Sequence, residues 1–151
     1  MPEGKDPRIY RTRLEGCQKL MSEMGIDFLF LAPGPNMYYL SAFLEEPGER
    51  LLMLIVPRSG DPLFVVPELY EEHVRSFSWI QNIVRWKDSQ DPKIVLSNAM
   101  RNMHSKQPKI GVDGRMWSRF LLMLLAVVPD SRYEEASTVM GPLRIGKTKQ
   151  A

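Results

Sequence analysis

Residues Ile26 to Val56 read IDFLFLAPGPNMYYLSAFLEEPGERLLMLIV. An apolar run stands at each end, Ile26 to Leu31 and Leu51 to Val56. Runs of that length, bounded by turn residues, suit strands covered on both faces. Between them, Pro33 and Pro35 fix φ and withhold N–H groups, so the sheet cannot continue through Ala32-Pro33-Gly34-Pro35. Asn36 is expected to start a helical turn by accepting a hydrogen bond from a downstream N–H. A strand, a proline-rich break and an aromatic turn predict a rigid exposed knuckle, where function can sit on a scaffold. Tyr38, Tyr39 and Phe43 either present an apolar contact surface there or plug the end of the core.

Upstream, Leu14, Cys17, Met21 and Met24, with Leu20 alongside, recur at steps of three and four. That spacing predicts a helix over Arg8 to Met24 with one buried stripe, stopped by Gly25. Downstream, Pro57-Arg58-Ser59-Gly60-Asp61 joins the Leu51 strand to a third strand, Pro62 to Val66, as an antiparallel hairpin. Pro67 opens a helix to about Phe77, with Glu68, Glu71 and Glu72 near the positive end of its dipole. A fourth strand is expected over Ile80 to Trp86, then a helix from Asp91-Pro92 to about Met103. Lys109 to Asp113 reads as a strand, Arg115 to Val128 as an apolar helix, and Arg132 to Glu135 as a last short strand. Ser137 to Ala151 turns polar and basic and reads as a connector. The alternation predicts a single α/β domain over residues 1–140, with a mixed sheet, an antiparallel hairpin and helices on both faces. Residues 141–151 are expected to start a connector to a further domain.

Composition narrows the function. One domain is the natural count for 151 residues, and 44% hydrophobic with 25% charged residues is globular composition. Lys+Arg 20 against Asp+Glu 18 is too balanced to argue for nucleic acid or an anionic membrane. The apolar run Phe120 to Val128 is about half of what a membrane span requires. The single Cys17 rules out an internal disulfide and suits a reducing compartment; with Met1 to Arg13 polar, a soluble cytoplasmic protein is the expectation. His73 and His104 stand on different predicted helices, with no H-E-x-x-H or C-x-x-C pattern, so no metal site is expected in this segment. Cys17, on the apolar stripe, reads as a buried inert thiol. Gly146-Lys147-Thr148 spells the end of a phosphate loop without its upstream glycine. Glu45, Glu46 and Glu49 sit among Pro and Gly and read as solvated rather than as a general acid. Trp86, ahead of Lys87 and Asp88, is either an edge plug or a contact surface. No catalytic residue is expected.

The series Arg13-Leu14, Met24-Gly25-Ile26-Asp27, Asn36-x-x-Tyr39-Leu40-Ser41-x-Phe43, Arg50, Leu54-x-Val56-Pro57, Gly60-x-Pro62, Val66-Pro67, Trp86-x-Asp88, Ile110-Gly111-Val112-Asp113 and Leu143-Arg144-x-x-Lys147 runs along almost the whole chain. In that order it resembles the N-terminal, non-catalytic domain of the creatinase/prolidase family, which includes Xaa-Pro dipeptidases and aminopeptidases. Ala42 departs from the family pattern, which usually has Gly there. The resemblance implies a mixed α/β domain preceding a "pita-bread" catalytic domain that holds two divalent metals (Mn, Co or Zn), with none in this segment. It further implies a homodimer, proline-containing peptides as substrates, and an N-terminal domain that shapes the active-site mouth. Asn36, Tyr38, Tyr39, Phe43, Glu45, Arg50 and Trp86 are the candidates for that mouth or for the interface. Two alternatives share the architecture: a creatinase-like amidinohydrolase, and a stand-alone protein-binding module.

Overall fold

A computed structural model of the chain describes residues 6–101 and 107–150. Six helices and six strands alternate along it. They are α1 (Pro7–Met24), β1 (Phe28–Leu31), α2 (Pro35–Ser41), β2 (Met53–Pro57), β3 (Leu63–Pro67), α3 (Glu71–Phe77), β4 (Ile83–Trp86), α4 (Pro92–Ala99), β5 (Lys109–Val112), α5 (Ser118–Val127), β6 (Arg132–Glu135) and α6 (Ser137–Gln150). The strands form one sheet in the order β4-β3-β2-β1-β5-β6. β2 runs antiparallel to both β1 and β3, while β3/β4, β1/β5 and β5/β6 are parallel. β2 is therefore the one strand running against the other five. The mixed sheet and hairpin expected from the sequence are both present.

Period-2 alternation sorts the apolar strands onto two faces even though every residue of β1 is buried. Leu29, Leu31, Leu54, Val56, Phe64 and Val66 point to one side, where α1, α2, α3 and α6 cover them. Phe28, Phe30, Met53, Ile55, Val65 and Ile110 point to the other, under α4 and α5. α1 follows its stripe: Leu14, Cys17 and Met21 are buried, and Gly25 ends it at φ 71 with its N–H on Met21 and Ser22 carbonyls. At the foot of the sheet Asp27 ties three strands. Its carboxylate accepts from Arg58 Nη2 at 2.7 Å and from the Lys109 amide at 2.9 Å.

Five elements differ from expectation, among them α5, which starts at Ser118 rather than Arg115. β4 starts at Ile83 rather than Ile80, because Ile80 turns back to donate its N–H to Ser78 Oγ at 3.1 Å. A 3-10 turn, Glu68–Tyr70, stands between Pro67 and α3, where one helix was expected. α4 ends at Ala99, and the expected end at Met103, like His104, lies outside the described residues. Most significantly, the residues from Ser137, read as a polar connector, form the helix α6. Val139 is fully buried, Met140 is 1% exposed, and Leu143 packs on the same core. This apolar stripe overrides the helix-breaking tendencies of Gly141 and Pro142.

Candidate functional site

The knuckle is α2 with the turn before it. Pro35 takes the first helical position, where its missing N–H costs nothing, so Gly34 and not Asn36 becomes the cap. The Asn36 side chain is not a cap. Its Oδ1 accepts from Arg144 Nη1 of α6 at 3.1 Å. Tyr39 is tied to the same helix, its hydroxyl donating to the Leu143 carbonyl at 3.2 Å. Arg13 of α1 donates to the Tyr39 carbonyl at 3.0 Å and lies over the Tyr39 and Tyr10 rings at 4.5 and 4.8 Å. Burial, and then a hydrogen bond with Tyr38, pushes the Tyr10 phenol above its ordinary pKa. Tyr38 itself stays 40% exposed. α2 is thus fastened to α1 and α6, leaving one ring at the surface.

The helix ends at Ala42, which adopts φ 70 and sends its N–H to the Tyr38 carbonyl at 2.9 Å. Phe43 then turns inward, 1% exposed, edge-on to Phe64 and to His73 at 6.0 and 5.6 Å. Leu44 turns outward at 65% exposure. Glu45 Oε2 stands 4.0 Å from His73 Nδ1, an approach the sequence did not indicate. At the end of the loop Arg50 makes a two-pronged contact with Asp88, Nε to Oδ1 at 2.9 Å and Nη2 to Oδ2 at 3.0 Å. That contact holds the Asp88 carboxyl below its ordinary range. Trp86 is buried, and its indole N–H donates to the Leu51 carbonyl at 2.9 Å. It is the end plug of β4, not an exposed contact.

These pieces share one edge of the sheet. The turn after β1, α3 after β3, Asp88 after β4 and the turn after β5 all leave the carboxyl ends of parallel-running strands. The loop into the reversed β2 arrives at the same edge. Ligands of open α/β sheets bind outside strand carboxyl ends. Here a small depression of about 10 Å³ lies there, bordered by Pro33, Pro47, Arg50, Arg115, Trp117 and Phe120. Asp113 holds its two sides together. Only 3% exposed, it accepts the Ala32 N–H at 3.2 Å on Oδ2 and the Arg115 N–H at 3.0 Å on Oδ1. Arg115 and Trp117 were not singled out from the sequence. Asp113-Gly114 directly after a strand is an Asx-turn signal that could have placed them at this edge.

Elsewhere, a groove of about 800 Å³ runs between α1 and α6, lined by Ile9, Arg13, Tyr39 and Leu143 among others. Among the described residues no three His, Cys, Asp or Glu side chains converge as metal ligands. Burial pushes the Cys17 thiol up to about 12, which removes it as a nucleophile at neutral pH. No described helix is long and apolar enough to cross a membrane.

The same architecture occurs in solved proteins. A prolidase from Thermococcus sibiricus superposes with a TM-score of 0.81 at 27% identity, over 89% of this chain and 36% of that one. The creatinase/prolidase N-terminal domain of an X-Pro dipeptidase from Streptococcus pyogenes matches 89% of this chain and 98% of its own, with a TM-score of 0.75 at 18% identity. Among curated sequences, the Xaa-Pro dipeptidase of Lactobacillus delbrueckii subsp. lactis is 24% identical over 139 residues, 90% of this chain but 38% of that protein. The chain thus spans well under half the length of the curated relatives it matches. The family model described as the creatinase/prolidase N-terminal domain matches residues 13–145. Matched over most of its length, the chain belongs to the creatinase/prolidase N-terminal domain family.

Proposed function

We propose that this chain is the non-catalytic N-terminal domain of a metal-dependent Xaa-Pro peptidase, and that its α2 knuckle and the loop to Arg50 shape the mouth of an active site. The observation that carries this reading is the gathering of the turn before α2 (Ala32, Pro33), the loop from Pro47 to Leu52 and the β5–α5 turn at one sheet edge, in a fold shared with a solved prolidase. The divalent metals (Mn, Co or Zn) would belong to a following catalytic domain. That domain is the first partner, a second copy of the whole protein the other, and proline-containing peptides the substrates. A buried free cysteine fits a reducing compartment such as the cytoplasm.

The test has two arms. The 151-residue chain alone, given Mn²⁺ or Co²⁺, should release no proline from Ala-Pro or Gly-Pro; turnover tracking with it would overturn the non-catalytic assignment. In the full-length protein, Glu45→Ala and Arg50→Ala should raise KM several-fold more than they lower kcat, provided substrate binding is at equilibrium. Mixing such a variant with a catalytic-domain knockout should restore low KM at the living site if the loop serves a neighbouring subunit. Unchanged kinetics for both loop variants would leave the edge as ordinary surface.

A further inference from the structure

We propose that Asn36 and Tyr39 are positioning residues that clamp the α2 knuckle to α6, so that α6 sets the angle at which α2 meets a substrate; this rests on the reading of the knuckle as part of an active-site mouth. α2 has seven residues, too few to hold a helix unaided, so its pose is decided by what it touches. Its faces are divided. Met37, Leu40 and Ser41 are buried. Asn36 and Tyr39, three apart and so on one face, both reach α6. Asn36 Oδ1 accepts from Arg144 Nη1 at 3.1 Å, and the Tyr39 hydroxyl donates to the Leu143 carbonyl at 3.2 Å. Tyr38, 40% exposed, is the ring left on the open side.

Apolar burial fixes how deep α2 sits, but it is non-directional and leaves a small slide or roll open. Hydrogen bonds are directional, and two of them on one face remove that freedom. Their α6 ends are firm, because Val139 and Met140 are buried one turn earlier and Leu143 packs on the same core. From the other side Arg13 of α1 donates to the Tyr39 carbonyl at 3.0 Å and lies 4.5 Å from its ring centroid, which keeps the phenol aimed at α6. Burial raises the Tyr39 phenol above its ordinary pKa, so it stays a donor at neutral pH. On the reading above, α6 is also the helix through which a following catalytic domain would be joined. The clamp therefore ties the seat of the knuckle to that join. Asn36 and Tyr39 act through α2, without themselves touching the reacting groups.

The experiment measures Ala-Pro hydrolysis and urea midpoints on the full-length protein and on Tyr39→Phe, Asn36→Ala, Arg144→Ala, Asn36→Asp and the Asn36→Ala/Arg144→Ala pair. Loss of either hydrogen bond should raise KM about threefold or more and change kcat less. Arg144→Ala should match Asn36→Ala, and the pair should stay within about twofold of either single variant, because both remove one contact. Asn36→Asp keeps an acceptor for the guanidinium and should keep KM near the unaltered value. A lowered urea midpoint with unchanged KM in every variant would make the clamp purely structural and overturn the inference, with the peptidase reading left standing. A raised KM in Asn36→Ala beside a silent Arg144→Ala would overturn it too, by putting Asn36 on the substrate itself. Failure of the unaltered full-length protein to hydrolyse Ala-Pro would overturn the peptidase reading, and this inference with it.

Discussion

Ala42 sits at φ 70, in the left-handed region where a Cβ meets the following carbonyl. The conformation is imposed from both sides: α2 closes its last turn on the Ala42 N–H, and Phe43 must enter the core at the next step. A non-glycine residue there costs about 1–2 kcal/mol, while glycine loosens the unfolded chain by about 0.4–1 kcal/mol. Ala42→Gly should therefore stabilise the domain by about 0.5–1 kcal/mol, seen as a higher urea midpoint at unchanged slope. A lower midpoint would mean that the neighbouring contacts already absorb the strain. Single-residue roles at the candidate site were only partly legible from the sequence. That Asn36 binds Arg144, 108 residues away, could not be read from local spacing. Trp86 was ambiguous for a related reason: an aromatic at a strand end looks the same whether it caps the core or faces solvent, until the Leu51 carbonyl under its N–H is known.

Between elements, the join that matters most is Asp113, which couples the turn after β1 to the turn after β5. Asp113→Ala would leave the Ala32 and Arg115 N–H groups without their acceptors, at about 1–3 kcal/mol each where buried. A loss of about 2–4 kcal/mol is expected in chemical unfolding, with Asp113→Asn, which keeps one acceptor oxygen, losing less. A cost below about 0.5 kcal/mol would show that solvent already reaches this corner. At this scale the sequence was most informative. The strands with continuous apolar runs, the hairpin and α1 were legible because burial on both faces and a 3.6-residue stripe leave strong local patterns. α6 was not. Its stripe of Val139, Met140 and Leu143 is short, and Gly141, Pro142 and the basic residues around it conceal a helix that only tertiary packing sustains.

For the molecule as a whole, α6 belongs to the core rather than to its margin. Deleting residues 137–151 removes Val139 and Met140, both essentially buried, and uncovers the α1 surface at Gly16, where an added Cβ would stand 3.7 Å from Leu143 Cδ2. At about 1.5–3 kcal/mol per buried side chain the two residues alone contribute about 3–6 kcal/mol, against a typical domain stability of about 5–15 kcal/mol. The shortened chain should unfold at a much lower midpoint or lose its sharp transition. An unchanged melting curve would make α6 an appendage. The sheet's two borders have a different consequence. β4 and β6 are only four residues long and carry Arg85 and Arg132, Glu134 and Glu135 respectively, with Arg85 held by Glu71 at 3.1 Å. Short, charged borders resist strand addition, so crowded copies of this domain have no ready template for zipping into a continuous ribbon or fibre. Pairing of two copies through helices or loop ends would leave each sheet with its own six strands.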